Sequence, residues 1–447
     1  MSTTSSTSTT TASSLPASGF STERFQAFLE TRREPGWLLD ARRTAWQRFQ
    51  AMSWPDRTEE EWLRTDIRLF KLDQFALPLE PTAADLCPQP YLNREGALGG
   101  ATRSLNGHGL GSHLATRWQS RGVIFGELDD LIGDHAELLK SYLQQRILDA
   151  GVDRFAALQD ACWSGGHVLY VPRGVVVDEP LLMLAGMTTG GVDLGRTLIV
   201  LEEGAEATVM CESQSAGPQD TGFHCGATEI ILKPGAKLRY VHLQDWGQGV
   251  WHFAHQKAQV GRDASLQWTS AAIGSRLAKV NQQVVLAQPG AECQVNGVLF
   301  TEGRQHLSYH TLQHHQGPHC RSDFLYKAAL QDKSRTVWRG LIKVDQKAQK
   351  TDGYQRNDNL LLSSSARADS IPGLEILADD VRCTHGSTTS KVDEELIFYA
   401  QCRGFTRREA VRAIVTGFFQ QIFDRVTIES VRESLAQAIG RRVREYE

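Results

Sequence analysis

The chain has 447 residues, 41% hydrophobic and 22% charged, a soluble globular composition with enough length for a large core. With 48 Lys and Arg against 52 Asp and Glu, its net charge of −4 lacks the basic excess that marks nucleic-acid binding. No run approaches the roughly 18 apolar residues of a bilayer-crossing helix, and the eight cysteines contain no Cys-x-x-Cys, which excludes a zinc ribbon and fits a reducing compartment.

Residues 1–20 open almost wholly on Ser and Thr, without the basic start and apolar core of a secretory signal or the Arg of a plastid transit peptide. The expectation is a disordered tail on a cytoplasmic protein, with the plastid stroma less favoured. Residues 21–154 read as a helical N-terminal domain. Phe25, Phe28, Leu29, Leu38, Ala45 and Phe49 recur at helical spacing, and the acids of Pro55–Trp62 sit where a helix would begin. Gly96–Gly111 lacks the preceding strand that a dinucleotide loop requires and reads as a plain loop. Leu131, Ile132, Leu138, Leu139, Leu143 and Ile147 mark a further amphipathic helical region over Asp129–Asp149.

From about Phe155 short apolar or alternating runs take over, separated by Gly, Pro, Asp and Asn turns. Thr197–Leu201, Ala207–Cys211, Glu229–Leu232, Leu238–Leu243, Leu266–Ala271 and Gln283–Leu286 are examples. A Gly-containing turn, a small residue and a strand recur, with alanines at 205, 236, 264 and 291 and spacings of 31, 28 and 27 residues. A near-constant period in this range is produced by stacked coils, each burying its apolar face on its neighbours; isolated hairpin turns could imitate it. Residues 155–392 are therefore assigned to a solenoid core and 393–447 to a helical C-terminal domain. In the latter, Val411, Ile414, Val415, Phe418, Phe419, Ile422, Phe423 and Val426 form a helical stripe. It packs on its own domain or docks a partner.

Eight of the fourteen histidines fall between His242 and His319, most densely in Ser308–Cys320. Imidazole and thiolate suit zinc, iron and copper. On a strand His310 and His314 share a face and His315 takes the other, so His310, His315, His319 and Cys320 are metal-ligand candidates; a polar ladder is the competing reading. A self-contained centre of His310, His314, His319 and Cys320 is one arrangement. Cys383 and His385, two apart, also point the same way in an extended chain and could ligate one metal or pair as nucleophile and base. No P-loop, His-Glu-x-x-His or Gly-x-Ser-x-Gly is present, so the chain is not expected to bind a nucleotide itself.

The run Asp379-Asp380-Val381-Arg382-Cys383-Thr384-His385-Gly386, with Asp393-Glu394-Glu395 and Arg403-Gly404-Phe405 after it, closely resembles the C-terminal signature of the SufB/SufD family of iron-sulfur cluster assembly scaffolds. Upstream the resemblance takes in Asn359–Ser363, Asp332–Arg335, Tyr326-Lys327, Pro318-His319, His315, His310-Thr311 and Val171–Gly174, and near the N-terminus Glu60-Glu61-Trp62 and Glu34–Trp37. Gly386 and Asn357 stand where SufB-like chains carry an acid and a cysteine, so the sequence is most like SufD. The resemblance implies a right-handed parallel β-helix between helical N- and C-terminal domains. It implies a SufB-like partner along the β-helix, a SufC-like ATPase on the C-terminal helices, and a non-catalytic scaffold. Cys383 and His385 would then face a transient iron-sulfur cluster, or iron, shared with the SufB-like chain; a homodimer without that partner is a further expectation. Another class also fits a solenoid groove, a carbohydrate-active enzyme. Against it, Asp379 and Asp380 are the sole clustered carboxylates noted and alternate faces on a regular strand.

Overall fold

Each recurring turn needs one residue in the left-handed backbone region, followed by a residue small enough to sit at an inside corner. In the computed structural model, which describes residues 19–92, 97–145 and 147–443, these demands line up in space. Gly204, Gly235 and Gly290 have φ of 69°, 68° and 71°, and Asp263, His319 and Lys350 take the same role with φ of 53°, 59° and 62°. The next residue, Ala205, Ala236, Ala264, Ala291 or Cys320, is buried in a common core. Strand register repeats the sequence period. Glu206 pairs with Lys237, Lys237 with Ser265 and Ser265 with Glu292, which are steps of 31, 28 and 27 residues.

Successive strands from Arg196–Leu201 to Arg382–Lys391 alternate between two ten-stranded sheets and pair in parallel within each, so the chain winds as a β-solenoid. Side chains facing inward fill its lumen with Leu238, Leu266, Trp268, Val295, Phe324 and Trp338, all at most 1% exposed. The outward faces are closed by helices. Over one sheet, α1 (Thr22–Glu30), capped by Ser21, and α2 (Gly36–Ala51) bury Phe25, Trp46 and Phe49 beside Phe155, Phe223 and Phe253. Three short helices follow, α3 (Thr116–Gln119), α4 (Leu128–Asp134) and α5 (Ala136–Leu143), and then α6 (Arg154–Cys162). Arg42, fully buried, is held by Glu34 at 2.6 Å and lies over the Trp163 ring at 4.0 Å, which gives the Glu34–Trp37 motif a structural use.

Over the other sheet lie α7 (Glu394–Cys402), α8 (Arg407–Phe423), which starts with a capping box at Thr406 and Glu409, and α9 (Glu429–Arg442). Val411, Val415, Phe419, Ile422 and Phe423 of α8 pack on Leu243, Val298, Phe300 and Leu325. Burying each Phe stabilises by about 1.5–3 kcal/mol. The aromatic stripe is thus core, and the expectation that it docks a partner is corrected.

Three other expectations change. Gly96–Gly111 is not a loop: Gly100–Leu105 and His108–Leu114 form a hairpin, and the first strand joins the solenoid in parallel with Leu181–Met187. Its turn, Asn106-Gly107 with φ of 49° and 75°, is a two-residue hairpin signal. Pro55–Trp62 makes turns rather than a helix, with Glu61 held on the sheet by Arg339 and His310. Ile124–Glu127 is a strand paired with Gly166–Val171, so the solenoid borrows its first rungs from within the N-terminal region. The Ser/Thr tail before Gly19, and Gly96, lie outside the described residues. Among those residues no helix is long and apolar enough to cross a membrane.

Candidate functional site

The last strand of each sheet, Arg367–Ile376 in one and Arg382–Lys391 in the other, pairs on one side only. Each leaves a row of backbone donors and acceptors free for another strand. Beside them Leu374, Ile376 and Leu377 are 40%, 38% and 58% exposed. The solenoid therefore ends on an uncovered, partly apolar rim.

Cys383 and His385 stand on this rim, and the register gives their direction. Cys383 ends an inward column that runs Leu266, Cys293, Ser322, Gly353. His385 ends the neighbouring column, Trp268, Val295, Phe324, Gln355. Two residues apart, they share the lumen side of the edge strand. Cys383 is half-buried against Ile342, Val344, Ala348 and Ala378, and this burial pushes its thiol above the ordinary range. The absence of a side chain at Gly353 makes room for it, since a Cβ there would stand 3.3 Å from Cys383 Sγ. His385 is exposed. Beneath it Gln355 is fully buried; its Nε2 donates to the carbonyls of Gly340 (3.3 Å) and Gly373 (3.1 Å). Next along the same face, Asn357 accepts from Ser370 Oγ at 2.7 Å and Asn359 Nδ2 at 2.8 Å.

The other candidates lie elsewhere. His310 and His314 do face outward together and His315 inward, as period-two alternation requires. His310 Nδ1 meets Glu61 Oε2 at 2.5 Å, and Glu61 also accepts from Arg339 at 2.7 Å. Buried Lys279 donates to the Glu61 carbonyl at 3.1 Å, and burial pushes its amine down to about 7 although Glu61 opposes this. These contacts pin the Glu60-Glu61-Trp62 segment to the solenoid. His314 meets Asp345 at 2.9 Å, while His315, pushed down to about 4 by burial and by His314, meets Ser322 Oγ at 2.8 Å. His319 is exposed at a left-handed corner, and Cys320 is an inside corner whose thiol donates to the Gln288 carbonyl at 3.2 Å. Burial raises the Cys320 thiol as well.

His310, His314 and Cys320 thus have separate partners and His319 stands exposed apart from them, and among the described residues no three His, Cys, Asp or Glu side chains converge on one metal-sized site. Asp379 and Asp380 lie in an exposed turn, with Asp380 paired to Lys350, so no carboxylate pair for glycoside chemistry stands there. What the fold brings together is Cys383 and His385, two donors on one rim, half of a four-coordinate shell.

One surface escaped the sequence reading. Leu396, Phe398 and Tyr399 on α7, with Phe405 beyond it, are 52%, 68%, 59% and 49% exposed. The clustering of Phe398-Tyr399 and Phe405 among acids and arginines was the available signal.

Two family models match. Residues 185–418 fit the SUF system FeS cluster assembly, SufBD core domain, and residues 25–183 fit the SufBD protein N-terminal region. A Staphylococcus haemolyticus protein described as an iron-sulfur cluster assembly SufBD family protein is 25% identical over 409 residues, covering 89% of this chain and 87% of its own. Proteins of the same description from Mycobacterium leprae and Mycobacterium tuberculosis are each 32% identical, over 296 and 305 residues. They cover 64% and 66% of this chain, and 74% and 76% of their own.

Proposed function

Since the chain belongs to the SufBD family of iron-sulfur cluster assembly proteins, we propose that it is a SufD-like scaffold subunit, non-catalytic in itself, that pairs with a SufB-like chain through the solenoid rim. The observation that carries this reading is the juxtaposition of Cys383 and His385 on the free edge strand. Their register points both toward the end of the lumen.

The cluster, or its iron, is cargo. A thiolate and a neutral imidazole from this chain supply two ligands, and the partner across the rim supplies the rest. Because burial raises the Cys383 thiol, ligation must displace its proton, which leaves the bound state readily reversible. Arg367–Ile376 and Arg382–Lys391 offer backbone pairing for the partner's own end strands; without that partner, a second copy of this chain can occupy the same edges.

A separate ATPase of the SufC kind docks on the exposed α7 surface of Leu396, Phe398, Tyr399 and Phe405. Its movements then separate or close the two scaffolds. All eight cysteines are free, in keeping with a cytoplasmic, reducing setting.

The test is cluster formation on the reconstituted complex with iron, a sulfur donor, ATP and both partners. Cys383→Ala and His385→Ala are expected to lower cluster yield while leaving the complex intact. Unchanged yield in both variants removes the ligand role.

A further inference from the structure

Far from the rim, the lumen holds a group of buried polar side chains, most of them titratable. His167, Asp193, His224, His242, His252 and Gln256, contributed by strands of both sheets, line a buried cavity of about 40 Å³. Part of the group is satisfied internally. His224 and His252 share a hydrogen bond between their Nδ1 atoms at 2.7 Å, and His242 Nε2 meets Ser213 Oγ at 3.1 Å. Asp193 Oδ1 accepts from the Gly195 amide at 2.8 Å.

Four polar atoms of the residues lining this space have no hydrogen-bond partner, namely His167 Nε2, Asp193 Oδ2, His252 Nε2 and Gln256 Oε1. Their residues are 2%, 1%, 1% and 4% exposed. A buried donor or acceptor without a partner forfeits its hydration with no return, so such atoms in a polar cavity are ordinarily met by ordered water. One water needs roughly 10–15 Å³ of such space and two to four polar partners, so the cavity has room for about three. The hydroxyls of Ser104, Thr197 and Thr228 supply further partners along the wall.

We propose that this chamber binds a small cluster of ordered waters, held by His167 Nε2, Asp193 Oδ2, His252 Nε2 and Gln256 Oε1, which completes the polar core of the first coils. Water fits better than a metal ion, because no three of the donors converge on one point. Burial supports the assignment by holding the imidazoles neutral, so that each offers one donor and one acceptor; His167 and His242 are pushed down to about 4 and His224 to about 3. The cluster would sit among the first coils, well away from Cys383 and His385 on the last strand, and its existence is independent of the assembly role.

The experiment joins a crystal structure of the full chain, at a resolution that shows ordered solvent, to thermal unfolding of Gln256→Leu. Leucine matches glutamine in size but cannot bond water. Solvent peaks within hydrogen-bond distance of these four atoms, with a lowered unfolding midpoint for Gln256→Leu, are expected. An empty cavity, or a midpoint raised because an unsatisfied amide was removed, overturns the proposal. So does a stoichiometric metal in elemental analysis that disappears in His252→Ala. Should Gln256→Leu fail to fold, the solvent density of the unaltered chain decides alone.

Discussion

Lowering the pH should unfold this protein through its lumen before any surface ion pair matters. Burial holds His167 and His242 down to about 4 and His224 to about 3, against an ordinary 6.5. The folded state therefore refuses protons that the unfolded chain accepts. Their contribution is complete above 6.5 and is lost progressively as the pH falls toward those lower values. At about 1.4 kcal/mol per pH unit of mismatch, each costs about 2 kcal/mol at about pH 5. Asp193 runs the other way: burial raises it to about 6 from 3.8, so it gains a proton in the folded state and returns about 1 kcal/mol over the same interval. His252, lowered well below the ordinary range by burial and by His224 and His242, adds to the loss. The net fall between about pH 7 and pH 5 is about 5 kcal/mol before His252 is added, a large share of the roughly 5–15 kcal/mol that holds a typical protein folded. Urea unfolding followed by tryptophan fluorescence at a series of pH values measures it. His242→Gln keeps a partner for Ser213 and should remove about 2 kcal/mol of the acid loss. A stability that stays level from neutral to pH 5, or an identical slope in His242→Gln, would refute the reasoning.

Cluster loading on the reconstituted complex should rise with pH from neutral upward, because burial keeps the Cys383 thiol protonated. Cys383→Ser, followed by the visible absorbance of the cluster, should flatten that dependence. Phe398→Ala together with Tyr399→Ala, at positions 68% and 59% exposed, should abolish co-purification with the ATPase while the unfolding midpoint stays put. Lys327 is 7% exposed and donates to the Phe418 carbonyl at 2.9 Å. Lys327→Met should loosen α8 by about 1–3 kcal/mol, read as faster hydrogen exchange in that helix alone. Gly297→Ala would place a Cβ 2.1 Å from the Tyr326 ring in the core and should lower stability by about 1–3 kcal/mol in chemical denaturation.

Much of the fold is legible because its causes are local. The alanine period reappears as strand register, since both express the length of chain needed to go once around a coil. The corner position was harder to read. By spacing Gly261 is the counterpart of Gly204, yet Asp263 is the residue with the left-handed backbone, and at later corners His319 and Lys350 do the same work. A histidine at such a corner resembles a ligand in sequence and is a turn residue in space. The hairpin at Asn106-Gly107 carried its own signal, but its strands gain their place from a pairing with Leu181–Met187 some eighty residues on, which no local pattern records.

The site divides in the same way. Residue type and spacing determined that Cys383 and His385 share a face, that His310 and His314 oppose His315, and that no phosphate-binding loop is present, because alternation along a strand is fixed by backbone geometry. Which of these donors stand at a free edge was decided by the number of coils and the place where stacking stops. Only tertiary structure could show that the stripe of α8 is consumed by the solenoid while the aromatic residues of α7 are left exposed. An amphipathic pattern states that a face will be covered; what covers it depends on residues far away in the chain.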